Sequence, residues 1–298
     1  VPRVVALLTL LTVLAGAAAW WIEQGESPPF VAGEVRRGPI PRESLGPGLH
    51  LAGSGSNLVV TRALAAAYRA AHPDERVVVH DSIGSTGGVR ATADGVVDIG
   101  LVARPLQPAE RALGLRVIPY ARVAITVLAH PDVRDQEISG AELVASLTED
   151  EPRWRDGTPL VWLLRERGDA GTAALARGVP GLAEALEAAS ASHRFRVVYH
   201  DDELTRALLG LRGAIGLSDL PQAQANAPTA RVLRIDGRMP DVASVRDGRY
   251  PFTKDLAFVV REPLSEPVAA FVAFAVGPEG ASAIEGAGAM ALGGEATP

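Results

Sequence analysis

The sequence predicts an α/β protein with mostly parallel sheets, and three observations carry that expectation. From residue 49 onward, short apolar strand patterns alternate with amphipathic helical ones, the order that builds βαβ units. Two turns rich in glycine and hydroxyls, Ala52-Gly53-Ser54-Gly55-Ser56-Asn57 and Ile83-Gly84-Ser85-Thr86-Gly87-Gly88-Val89, fall where a strand gives way to a helix. Hydrophobic residues make up 47% of the chain but aromatics only 5%, which suits helices packed on parallel strands better than an aromatic-rich antiparallel sandwich. A chain of 298 residues can bury one large core or two modest ones.

Taken in order, the elements begin with Arg3 and an apolar run from Val4 to Ile22, broken only by Thr9, Thr12 and Gly16 and followed by Glu23 and Glu26. At about 1.5 Å per residue the run approaches the roughly 30 Å hydrocarbon thickness of a bilayer. Residues 1–24 therefore read as a signal peptide or an N-terminal membrane anchor, and either would export the rest of the chain. Ala17-Ala18-Ala19 offers a cleavage site, whereas Trp20-Trp21 suits the interfacial belt of an uncleaved anchor. Residues 25–48, rich in proline and glycine without an apolar period, read as a linker.

Strands are expected at Leu49–Ala52, Arg76–His80, Leu115–Pro119, Val123–Ala129, Pro159–Leu164, Arg196–His200, Ala214–Leu217, Arg231–Ile235 and Leu256–Val260. Helices are expected at Val59–Ala71, ended by His72-Pro73; at Gly140–Leu147, capped by Ser139; at Glu203–Leu211, capped by Asp202; and at Val268–Val276, started by Ser265 with Pro267.

A helix start presents unpaired N–H groups and the positive end of its dipole, so two such turns facing one point form a socket for an anion. The net charge of −6 and the absence of a basic stripe argue against nucleic acid as a partner. The absence of cysteine excludes disulfides, thiolate metal sites and a lipid-carrying cysteine. His193 and His200 lack a ligand-like cluster, and Asp201-Asp202 reads as a helix cap, so no metal and no cofactor are expected. Gly53-Ser54-Gly55-Ser56-Asn57-Leu58 lacks the third glycine of a dinucleotide fingerprint, and no Gly-x-Ser-x-Gly elbow or Walker loop occurs. The chain is not expected to be an enzyme.

Ile83-Gly84-Ser85-Thr86-Gly87-Gly88-Val89, followed nine residues later by Asp98-Ile99-Gly100 and then by Arg104-Pro105-Leu106, resembles the phosphate-binding proteins of bacterial ABC uptake systems, and more loosely the wider group of substrate-binding-domain proteins. Gly53-Ser54-Gly55-Ser56-Asn57, Ala214-Ile215-Gly216 and Gly248-Arg249-Tyr250-Pro251 resemble that family's other landmarks in the same order, over roughly Leu49 to Leu292. The resemblance implies a two-lobed periplasmic binding protein fold of type II with the ligand cleft between the lobes. Lobe one would comprise residues 49–120 and 250–292, lobe two residues 121–249, and residues 293–298 a flexible tail.

By the same resemblance the ligand site would use Ser56, Asn57 and the Leu58 N–H from the first turn, and Ser85 with the Thr86 and Gly87 N–H groups from the second. From lobe two it would use Arg165 and the turn Asp169-Ala170-Gly171-Thr172, and Arg104 of lobe one would be a further cation. An arginine grips two oxygens at once, which suits a tetrahedral oxyanion. Two positions depart from the family pattern: Ala103 stands where phosphate-specific members place a carboxylate, and Asp169 stands where a serine would donate. An ionised carboxylate only accepts hydrogen bonds, so Asp169 repels an anion unless it is paired with Arg165 or Arg167, or the ligand itself carries donors. Asp98 is expected to brace the sheet edge.

The function implied is capture of a small oxyanion, phosphate foremost, outside the cytoplasm for an ABC permease, with the inner membrane as a partner if the N-terminal segment is uncleaved. The alternative is a membrane-anchored sensor or adaptor that keeps the fold without a transport role.

Overall fold

Leu49 begins an apolar run that folds as strand β1 (Leu49–Gly53), buried at every position as a strand covered on both faces must be. The computed structural model describes residues 42–293; the expected signal or anchor, the linker up to residue 41 and the tail from residue 294 lie outside the described residues. β2 (Val77–Val79) and β3 (Ile99–Val102) flank β1 in parallel. Helix α1 (Leu58–Ala71) buries Val60, Leu64 and Tyr68, a stripe with a spacing of four, and α2 (Gly84–Ala93) follows the second glycine-rich turn.

After the short α3 (Pro108–Arg111), the strand patterns expected at Leu115–Pro119 and Val123–Ala129 form one strand, β4 (Arg116–Ala129). A register shift opposite Leu256/Ala257 takes up Tyr120 as an extra residue, which lets a chain containing Pro119 run on through the sheet.

The next elements are β5 (Glu137–Ile138), α4 (Gly140–Thr148), β6 (Val161–Arg165), α5 (Ala170–Gly178), α6 (Leu182–Ser192), β7 (Arg196–Val198), α7 (Asp201–Gly210), β8 (Ala214–Asp219), α8 (Leu220–Asn226), β9 (Arg231–Ile235) and α9 (Val242–Arg246). β10 (Thr253–Val260), α10 (Glu266–Val276), α11 (Pro278–Gly286) and β11 (Met290–Ala291) complete the described chain. Ser139 and Glu142 form the reciprocal capping box of α4. The cap of α7 differs from expectation: His200, in extended backbone, is the N-cap, and Asp201 and Asp202 lie within the first turn, where their charges favour the helix dipole.

The sheet runs β2-β1-β3-β10-β4-β8-β6-β7, and β9 also pairs with β4. It is a mixed sheet, not a mostly parallel one. β10 lies antiparallel to β3 and β4, and β4 antiparallel to β8, because these two long strands carry the chain out to the second half of the molecule and back.

Of four apolar clusters among the described residues, two smaller ones lie around Leu128, Leu204 and Leu208 and around Val89, Val102 and Val259, and the two largest sit on the shared strands. Tyr120, Ala121 and Val123 of β4 join Leu256, Phe258 and Val260 of β10 in the first, together with Phe271 of α10 and Ile284 of α11. From Ala124 onward β4 serves the second, with Ile125 and Val127 against Trp162, Leu175 and Phe252. The result is two α/β halves joined through β4 and β10, the two-lobed arrangement expected from the sequence. No single helix among the described residues is long and apolar enough to cross a membrane.

Candidate functional site

The strands β1, β3, β6 and β7 all end at one cleft of about 1400 Å³, the place where open α/β sheets present ligand sites. Its wall from the first half is the turn Ser54–Ser56, the start of α2 at Gly84–Thr86, and Ala103-Arg104 after β3. The second half contributes Arg165 at the end of β6, Asp169-Ala170 at the start of α5, and His200–Asp202 at the start of α7. Helix N-termini thus face a common space from both halves, and their first N–H groups have no partners within the helix.

Of the residues singled out by sequence, Ser56, Leu58, Ser85, Thr86, Arg104, Arg165, Asp169 and Ala170 line this cleft. Gly171 lines a recess of about 10 Å³ that shares Ser56, Arg165, Asp169 and Asp201 with the cleft. Gly87 lies in the first turn of α2 and is not in the lining. The Leu58 N–H donates back to the Gly55 carbonyl. Asn57 is fully buried, and its amide donates to the Tyr120 hydroxyl at 3.1 Å and the Val102 carbonyl at 3.3 Å. Thr172 donates both its N–H and its hydroxyl to Asp169 Oδ1, at 2.7 and 2.8 Å, so Asp169 is the cap of α5. Asp98 accepts from the His50 N–H at 2.7 Å and pairs with Arg42, bracing the sheet.

The lining arginines are all engaged. Arg104 grips both oxygens of Glu110 at 2.7 Å and donates to the Thr86 hydroxyl at 2.8 Å. Arg165 pairs with Asp201 at 2.7 Å and with Glu166 at 3.3 Å, and donates to the Tyr199 carbonyl at 3.3 Å. Arg62 pairs with Asp81 and Arg206 with Asp202. Burial would depress the pKa of Arg165, but the carboxylates of Asp201 and Asp169 raise it, so the guanidinium is firmly charged. Burial likewise pushes Asp169 up, and is outweighed by Lys254, Arg165 and the Thr172 N–H, which hold it below the usual carboxylate range. Arg167 pairs with Glu187 instead.

Sequence reasoning missed the centre of this network. Lys254 Nζ, on β10, donates to Ser56 Oγ at 2.8 Å and pairs with Asp219 Oδ1 at 2.9 Å, at side-chain exposures of 7% and 5% for the ion pair. Gln222 Nε2 of α8 donates to the Gly55 carbonyl at 2.7 Å. The signal that marks Lys254 is compositional: of the 29 Lys and Arg residues it is the one lysine and the other 28 are arginines.

A family model described as the PBP superfamily domain matches residues 31–279. The chain belongs to the PBP superfamily. A protein from Clostridium perfringens, named as a phosphate ABC transporter substrate-binding protein and solved with bound phosphate, aligns with a TM-score of 0.71 at 21% identity, covering 83% of this chain and 100% of that one. An ABC-type phosphate transport receptor from Vibrio cholerae aligns at 0.58 and 15% identity, covering 81% and 99%. The reduced form of OxyR from N. meningitidis aligns at 0.56 and 13% identity, covering 82% and 98%. At these identities the likeness is one of fold. No curated protein matches the chain by sequence. The chain thus carries a PBP superfamily domain, whose fold is shared by solved proteins named as phosphate transport receptors and by OxyR.

Proposed function

We propose that this chain is an extracytoplasmic solute-binding protein that captures a small oxyanion, inorganic phosphate foremost, and presents it to an ABC permease at the inner membrane. The observation that carries the reading is the convergence on one cleft of the α2 start, with the Ser85 and Thr86 hydroxyls, and the α5 start at Ala170, beside Arg104 and Arg165. In this reading residues 49–120 with 250–292, and residues 121–249, act as lobes that close over the ligand, and closure strengthens each hydrogen bond by excluding water.

Asp169, Asp201 and Asp202 also face the cleft, each beside a cation, so an anion that brings a donor of its own is favoured there. Hydrogen phosphate has one and sulfate has none. Calorimetry with the purified chain at neutral pH is therefore expected to show phosphate binding, with sulfate at least about tenfold weaker. Arg165→Ala is expected to weaken phosphate by about 2 kcal/mol, roughly 30-fold, the loss of one charge-assisted contact. A flat phosphate titration removes the reading. The pairing of every lining arginine with a carboxylate favours a second reading, a membrane-anchored sensor or adaptor without a transport role. Failure to co-purify with any permease while still binding phosphate would select it.

A further inference from the structure

Lysine occurs once in this chain, and it lines a small recess that adjoins the cleft. Lys254 is the second residue of β10, opposite Val123 in the strand that carries the chain between the two cores. It is only 9% exposed. Its ammonium reaches Ser56 of the first half at 2.8 Å and Asp219 of the second at 2.9 Å. An ammonium has three donors, and among the described residues the third has no hydrogen-bond partner. The guanidinium of Arg165, by contrast, is spread over Asp201, Glu166 and Tyr199, and that of Arg104 over Glu110, Thr86 and Pro105.

The recess of about 10 Å³ lined by Lys254 is on the order of the space one water-sized group occupies. Ser56, Arg165, Asp169 and Asp201 line both it and the cleft, so the two spaces adjoin. A compact ammonium fits such a place where a planar guanidinium fork does not. This accounts physically for a lysine in a chain that otherwise uses arginine.

Resting on the solute-capture reading above, we propose that this recess is the inner subsite of the cleft, taking one oxygen of the anionic ligand, and that Lys254 is the specificity-determining cation that receives it. Asp219 serves as the standing counter-ion of Lys254. The ligand class is a small oxyanion with one oxygen free to enter and a proton or other donor left to meet Asp169 or Asp201. Burial would lower the pKa of Lys254, but Asp219 and then Asp169 raise it, so the group stays charged at neutral pH.

A single lysine makes the test direct. Labelling the full chain with ¹⁵N-lysine yields one side-chain signal, and the probe is inorganic phosphate. The expected result is a shift of the Lys254 signal that saturates along the calorimetric isotherm, and a loss of at least 30-fold in phosphate affinity for Lys254→Met. Because that variant leaves Asp219 buried and unpaired, Lys254→Met/Asp219→Asn is measured beside it and is expected to fold and to show the same loss. If phosphate binds while the signal stays still and the double variant binds like the parent, the subsite is overturned and the function stands. If phosphate gives no isotherm at all, the function reading falls and this inference falls with it.

Discussion

Glu110 ties the N-terminus of α3 to the cleft wall: its carboxylate accepts the Gln107 N–H at 2.8 Å and both arms of Arg104 at 2.7 Å. The Arg104 hydrogen bonds hold its pKa down from 4.5 to about 2, against a burial that would raise it. Because the folded value is the depressed one, the stabilisation is complete above the unfolded pKa near 4.5 and is lost as the pH falls through about 2. Glu110→Gln is expected to cost about 2 kcal/mol at pH 7, in the range for a hydrogen-bonded charge. Urea unfolding at pH 7 and below pH 3 checks this, and a penalty that does not shrink at the lower pH contradicts it. Arg104 was legible in the sequence as a cation near the second turn; that its charge is spoken for by Glu110 six residues later was not, because only the folded backbone brings the two side chains together.

Helix α2 lies unusually close to the sheet beneath it. A Cβ on Gly88 would stand 2.8 Å from Gly53 Cα and 2.9 Å from the Ala52 carbonyl, and one on Gly100 would stand 2.5 Å from Thr92 Oγ1. The second and third glycines of the second turn thus have different work. Gly88→Ala is expected to destabilise by about 1–3 kcal/mol through overpacking against backbone that cannot move aside. Gly87→Ala meets only the Ile83 side chain, at 3.2 Å, and is expected to stay within about 1 kcal/mol, since alanine also gains helix propensity. Thermal unfolding of the pair decides it; equal penalties would contradict the packing account. The position of the turn at a helix start was readable from its glycines and hydroxyls, whereas the division of labour among them depends on Gly53, a residue 35 positions away.

At the scale of the molecule, each half carries apolar cores of its own, and β4 runs from one half into the other with β10 paired along it. The crossing is fastened by the Tyr250 hydroxyl, which donates to the Ile125 carbonyl at 2.6 Å, and by the Ile125 N–H on the Phe252 carbonyl at 2.8 Å. Ile83 from the first half and Tyr199 from the second line the cleft with 50% and 60% of their surfaces exposed, so both gain burial if the halves approach. Small-angle scattering is expected to show the radius of gyration falling on saturation with phosphate, in the parent and not in Arg165→Ala. An unchanged radius at proven saturation rules out closure.

What the sequence determined by itself is the succession of strands and helices and the placing of glycine-rich turns at helix starts, because apolar period, caps and chain-bending residues are local properties. That succession was enough to anticipate an α/β fold. Only the tertiary structure decided that the sheet is mixed, that each lining arginine already has an acidic partner, and that Lys254 stands between Ser56 and Asp219. Pairing between strands and between charges depends on residues up to 198 positions apart, and burial, which sets the strength of those contacts, exists only once the halves are packed.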